Sequence, residues 1–155
     1  MPAPEVSSPV PAVVLGRGLR RGLRSALARL SEQRDRINDL NVFPVPDGDT
    51  GTNMHLTLQA ALAEAESLGP DPGAGEVAAA VAHGALMGAR GNSGVILSQI
   101  LRGVAEGLRG KAEIGAGELA ASLKEGSAAA YRAAQWRGHP RPGHGRSGEG
   151  QPAGL

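Results

Sequence analysis

The stretch LGRGLRRGLRSALARL, residues 15–30, can be read in two ways, and the fold class turns on the choice. Its GRGLRRG segment superficially resembles a glycine fingerprint for a dinucleotide, but that motif needs a strand before it and a helix after it. No strand pattern precedes it, and glycine matches are cheap in a chain with 24 glycines. Leu15, Leu19, Leu23, Leu27 and Leu30 instead recur at helical spacing, and Ile37 and Leu40 extend the series. Arg17, Arg20, Arg21, Arg24 and Arg29 occupy the other face. The spacing predicts an amphipathic helix of about two dozen residues, with the arginines as a solvated face. Pro44 and Pro46 stop it, because proline removes an amide donor and pushes its predecessor out of the helical region.

Further helices follow at similar intervals. One begins near Gly51, with Met54, Leu58, Ala61, Leu62, Ala65 and Leu68 as its buried stripe. After a turn-rich segment at 69–75, an alanine-rich helix carrying Val77, Val81, Leu86 and Met87 is expected at 76–88. A fourth follows RGNSG and buries Val95, Ile96, Ile100, Leu101, Val104 and Leu108; a fifth is expected at 118–134. No alternating strand pattern of any length appears, so the class is all-α.

Composition narrows the function classes. The net charge of +1 gives no global argument for nucleic acid, although the arginine face leaves a membrane-surface or RNA role open. No run of roughly eighteen apolar residues occurs, so no membrane span is expected. With no cysteine the chain has no disulfide or thiolate metal site, which suits a cytoplasmic protein. One Trp, one Tyr and one Phe leave the core to aliphatic residues and alanine, so helices should pack closely. Residues 1–13 are expected to be a disordered lead-in, 14–134 the helical domain, and 135–155 a disordered Gly/Pro/Arg-rich tail.

Chemistry concentrates in NVFPVPDGDTGTNM, residues 41–54. Asp47 and Asp49 stand one residue apart, and two carboxylates that close repel unless a cation lies between them. Their hard oxygens suit magnesium or calcium. Thr50, Gly51, Thr52 and Asn53 then offer amides at a helix start, where anions are favoured. Cation ligands beside an anion site describe a metal-phosphate site. The same residues also read as a turn in which Asp49 or Thr50 caps the helix. An EF-hand fails, because Leu58 stands where a bidentate Glu is required. Gly91, Asn92, Ser93 and Gly94 offer amides and a hydroxyl before an apolar helix, or simply a helix–helix turn; no Gly-Lys-Ser/Thr follows, so this is not a Walker A loop. His55 is expected to face solvent.

LNVFPVPDGDTGTNMHLTL together with GALMGARGNSGVILSQILRG resembles the nucleotide-binding domain shared by the dihydroxyacetone kinase L subunit and bacterial fatty-acid kinases, closer in its loop to the fatty-acid kinase branch. The resemblance covers about Leu15 to Ala134. It implies a barrel of about eight antiparallel helices binding ATP at one end, with two magnesium ions in the acidic loop. Carried over, Asp47 and Asp49 are catalytic metal ligands, with Asn41 a weaker ligand nearby. Thr50, Gly51, Thr52 and Asn53 would contact phosphate, and Gly91, Asn92, Ser93 and Gly94 would complete the cradle. The implied reaction is phosphoryl transfer from ATP to an acyl carboxylate held by a separate fatty-acid-binding protein. A glycerone-kinase-like enzyme and a non-catalytic nucleotide-binding regulatory module are the alternatives, and a homodimer is compatible with either.

The resemblance stops near Ala134, where family members continue with Pro-x-Glu-Gly-Thr and the closing helices. About five or six of eight helices are therefore expected, with apolar faces left open and activity of this chain alone an open matter. Arg137-Gly138-His139 can be encoded as CGA-GGG-CAC, which reads Glu-Gly-Thr in a neighbouring frame. The tail is accordingly expected to be an out-of-frame translation.

Overall fold

The leucine repeat does form a helix. The computed structural model describes residues 13–43 and 45–137, with the side chains of residues 136 and 137 outside that description. In chain order it contains β1 (Val14–Leu15), α1 (Gly16–Asp39), α2 (Thr50–Glu66), α3 (Ala74–Met87), α4 (Gly91–Gly107), β2 (Glu113–Ile114) and α5 (Ala116–Arg137). The all-α reading holds. The added β1–β2 ribbon is antiparallel, pairing Val14 with Ile114, and two residues per strand are too few to leave a period in the sequence.

Successive helices run antiparallel. Arg24 of α1 meets Glu66 of α2, while Asn38, fourteen residues on, meets Thr52 near the other end of α2. Gly103 of α4 lies on Glu125 and Gly126 of α5, and Gly107 lies on Ser122. A Cβ on Gly103 would come within 2.5 Å of the Glu125 carbonyl oxygen, so the α4–α5 approach depends on its absence.

The core is aliphatic and alanine-rich, as the composition required. Leu58, Ala61 and Ala65 of α2 pack with Val77, Val81 and Ala85 of α3, and the α1 leucines from Leu19 to Leu30 lie half-buried over them. A second cluster joins Ala74, Ala78, Leu108 and Ile114 beneath the ribbon.

Four expectations need correction. Leu40 does not extend the apolar stripe: α1 ends at Asp39, and Leu40 is 72% exposed at the start of the proline segment. Arg20 is not solvated: it is buried, donating to the Leu68 and Pro70 carbonyls at 3.4 and 3.1 Å, and so ties α1 to the α2–α3 loop. Ile96 lies at the surface of α4, not in its buried face. Together with Ile100, Leu123 and Tyr131 it lines an open apolar groove of about 350 Å³ between α4 and α5. Among the described residues nothing covers this groove. Residues 1–12 of the lead-in and 138–155 of the tail fall outside the described residues, whereas residues 135–137, expected to begin the disordered tail, continue α5.

Candidate functional site

The acidic loop leaves α1 at Asp39 and returns to helix at Thr50. Asp47 and Asp49 are both exposed on it, and Gly48 between them has φ +63°, a left-handed conformation that glycine adopts without strain. Asn41 Nδ2 donates to Asp47 Oδ1, so the proposed third ligand touches the first. Asp49 occupies the N-cap position of α2, yet its side chain makes no capping hydrogen bond. Its carboxylate is therefore not consumed by the helix, as it would be in an ordinary capped turn.

The first turn of α2 divides its donors. Thr52 N–H donates to Asn38 Oδ1 at 3.1 Å, and the Thr52 hydroxyl accepts from Asn38 Nδ2 at 3.0 Å. The Thr52 amide is thus engaged by α1. Asn53 N–H donates to the Asp49 carbonyl at 2.8 Å. The amides of Thr50 and Gly51 have no partner among the described residues. Gly51 is buried against α1, where a Cβ would lie 2.4 Å from the Arg34 carbonyl oxygen.

The second motif is not a loop before a helix. Gly91, Asn92, Ser93 and Gly94 are the first turn of α4, opened by Gly91 at φ +58°. This turn packs on α2. A Cβ on Gly91 would fall 2.4 Å from Asn53 Nδ2, and one on Gly94 would fall 2.3 Å from Thr57 Oγ1. Contacts step forward along both helices together, so α2 and α4 run parallel and start at the same end. Two helix N-termini, each favouring an anion, thereby lie side by side, and Asp49 immediately precedes one of them. Asn92 is exposed and Ser93 half-buried within this turn.

Thr57, Arg90 and Asn38 went unrecognised in the sequence. Thr57 is fully buried, donates to the Asn53 carbonyl at 2.7 Å and accepts from the Arg90 amide at 3.1 Å. Its spacing of four from Asn53, on the same helical face, was the available signal. Asn38 had none, since its partner is fourteen residues away. His55 departs from expectation: it is half-buried, and its Nδ1 is enclosed without a hydrogen-bond partner among the described residues.

Among the described residues no group of three or more His, Asp or Glu is placed to hold a metal. The loop's donor set is two carboxylates and one amide oxygen. That set fits magnesium, which keeps several waters and takes one or two carboxylates with phosphate oxygens completing its shell.

The arrangement agrees with a known family: residues 44–145 match the profile of the DAK2 domain. The chain belongs to the DAK2 domain family. Protein YloV of Bacillus subtilis is 47% identical to it over 118 residues, which is 76% of this chain and 21% of YloV. A Staphylococcus haemolyticus protein is 48% identical over 104 residues, 67% of this chain and 19% of its own length. The chain thus spans about a fifth of the length of these curated relatives. The DAK2 match bears out the all-helical fold and the dihydroxyacetone-kinase-L-like nucleotide-binding character anticipated from the two motifs. No described helix is long and apolar enough to cross a membrane.

Proposed function

We propose that this DAK2 domain binds ATP with magnesium and serves as the nucleotide module of a phosphotransferase whose acceptor is a fatty-acid carboxylate presented by a separate fatty-acid-binding protein. The observation that carries the reading is the meeting of the α2 and α4 N-termini through Asn53 and Gly91, with the exposed Asp47 and Asp49 on the loop that leads into α2. In this reading Asp47 and Asp49, with Asn41 beside them, hold two magnesium ions. The unpartnered Thr50 and Gly51 amides receive phosphate oxygens. Thr52 contributes through its hydroxyl, since its amide is engaged. Asn53 and the Gly91–Gly94 turn bound the other side of the nucleotide, with Ser93 offering a hydroxyl.

Phosphoryl transfer depends on positioning and on neutralising charge, which is the chemistry magnesium supplies when bound. The chain's share is to hold its two acids apart from helix capping and to aim two helix starts at the phosphates. A carboxylate acceptor is already ionised at neutral pH, so neither acid has to remove a proton from it. The Asp-Gly-Asp-Thr-Gly form of the loop supports an acyl acceptor over dihydroxyacetone.

The test is an assay of this chain with ATP and magnesium against two acceptors: oleate loaded on a fatty-acid-binding protein, and dihydroxyacetone. Acyl phosphate formation with the first alone supports the reading. Transfer to dihydroxyacetone overturns the acceptor, and ATP binding without transfer to either favours a regulatory module.

A further inference from the structure

The free carboxylate of Asp49 has a structural cause. An N-cap side chain normally accepts a hydrogen bond from the second or third amide of its own helix. In α2 the third amide is that of Thr52, which Asn38 of α1 accepts at 3.1 Å; the second, that of Gly51, has no partner among the described residues, so Asn38 takes one of the two amides that Asp49 could cap. The bond is doubled by Asn38 Nδ2 on the Thr52 hydroxyl, at 3.0 Å. We propose that Asn38 is a surrogate cap for α2, a positioning residue that keeps Asp49 available to a divalent cation. The inference rests on the metal-phosphate reading of the loop.

Asn38 acts at both ends of the loop. Its backbone carbonyl accepts the Asn41 amide at 3.1 Å, and Asn41 in turn donates to Asp47. Gly48 and Gly51 pass close beside it; a Cβ on Gly51 would lie 3.0 Å from Asn38 Oδ1. One side chain at the end of α1 therefore fixes where α2 begins, and one carbonyl fixes where the loop departs. Without Asn38, the bare Thr52 amide and the adjacent Asp49 carboxylate satisfy each other. Asp49 then becomes an ordinary cap, and the cation loses a ligand.

Two measurements on the whole chain decide this. The first uses Mn²⁺ alone as probe, followed by paramagnetic broadening of the residue 47–52 resonances. Asn38→Ala should weaken Mn²⁺ binding by about tenfold or more, the scale of one competing charge-assisted hydrogen bond. Asn38→Asp keeps an acceptor for the Thr52 amide and should retain wild-type affinity or better. If Asn38→Ala does not fold, Asn38→Asp alone decides, and loss of Mn²⁺ binding in it overturns the proposal.

The second measurement is a thermal-stability cycle that needs no ligand. Asp49→Ala alone should change the melting temperature little, because Asp49 makes no capping hydrogen bond and only its charge at the helix start is lost. In the Asn38→Ala background the same change should be destabilising, because Asp49 has taken over the cap. Additive effects overturn the cap exchange. If the cycle shows coupling while the wild-type chain fails to bind Mn²⁺, the cap exchange stands, and the metal reading on which its purpose rests is overturned.

Discussion

The hydroxyl of Thr57 in α2 accepts the amide of Arg90 at 3.1 Å, at the residue from which α4 starts. The same hydroxyl donates to the Asn53 carbonyl at 2.7 Å, so one buried group sets the register between the two motifs. Thr57→Val keeps the shape and leaves the Arg90 amide without its acceptor. The expected loss is about 1 kcal/mol, the usual net worth of one hydrogen bond. Thr57→Ser, which keeps the hydroxyl, should lose less. Urea denaturation midpoints check this, and equal midpoints for Val and wild type would remove Thr57 from the account.

Gly91→Ala should affect binding more than stability. The strain of a Cβ at φ +58° is of the order of 1–2 kcal/mol. The contact at 2.4 Å falls on the end of the Asn53 side chain, which can swing away. That movement displaces a proposed phosphate contact, so ATP affinity should fall beyond what melting indicates. Adding Asn53→Ala to Gly91→Ala removes the clash and leaves only the strain. The comparison of melting temperatures between the double variant and Asn53→Ala should then report the backbone cost alone.

Such pairs mark where the sequence was and was not legible. The apolar period placed α1 and the four later helices in order, because burial of a stripe repeats every three or four residues. The two motifs were visible as loops of unusual composition. What joins them was not. Thr57 with Arg90 and Asn38 with Thr52 are single polar contacts, 33 and 14 residues apart, with no repeat to reveal them. Arg20 looked like its neighbours on the arginine face, and only the path of the α2–α3 loop brings two carbonyls to it. Leu40 kept the spacing of the α1 stripe but lies past the helix end, where the loop carries it outward.

Acid should weaken the link between α1 and α2. Glu66 accepts from Arg24 Nε at 2.6 Å and from its second guanidinium nitrogen at 2.8 Å. The hydrogen bonds from Arg24 hold the Glu66 carboxyl below the usual glutamate range. A carboxyl lowered in the folded state contributes stability above its unfolded value, and that contribution is lost as pH falls through the folded value. The pair is solvent-exposed, so the effect is small and screened by salt. Melting curves of wild type and Glu66→Gln should differ at neutral pH and converge as pH falls below the lowered folded value of Glu66. A constant difference across that range would show that the ion pair is not its source.

The most direct measurement of the central claim is calorimetric titration of ATP into the chain, with and without magnesium, for wild type, Asp47→Ala and Asp49→Ala. Magnesium should strengthen ATP binding to wild type. Each substitution should remove the gain while helical content stays unchanged, since both acids are exposed and neither side chain caps α2 by a hydrogen bond. Magnesium-dependent binding of undiminished strength in both variants would contradict it.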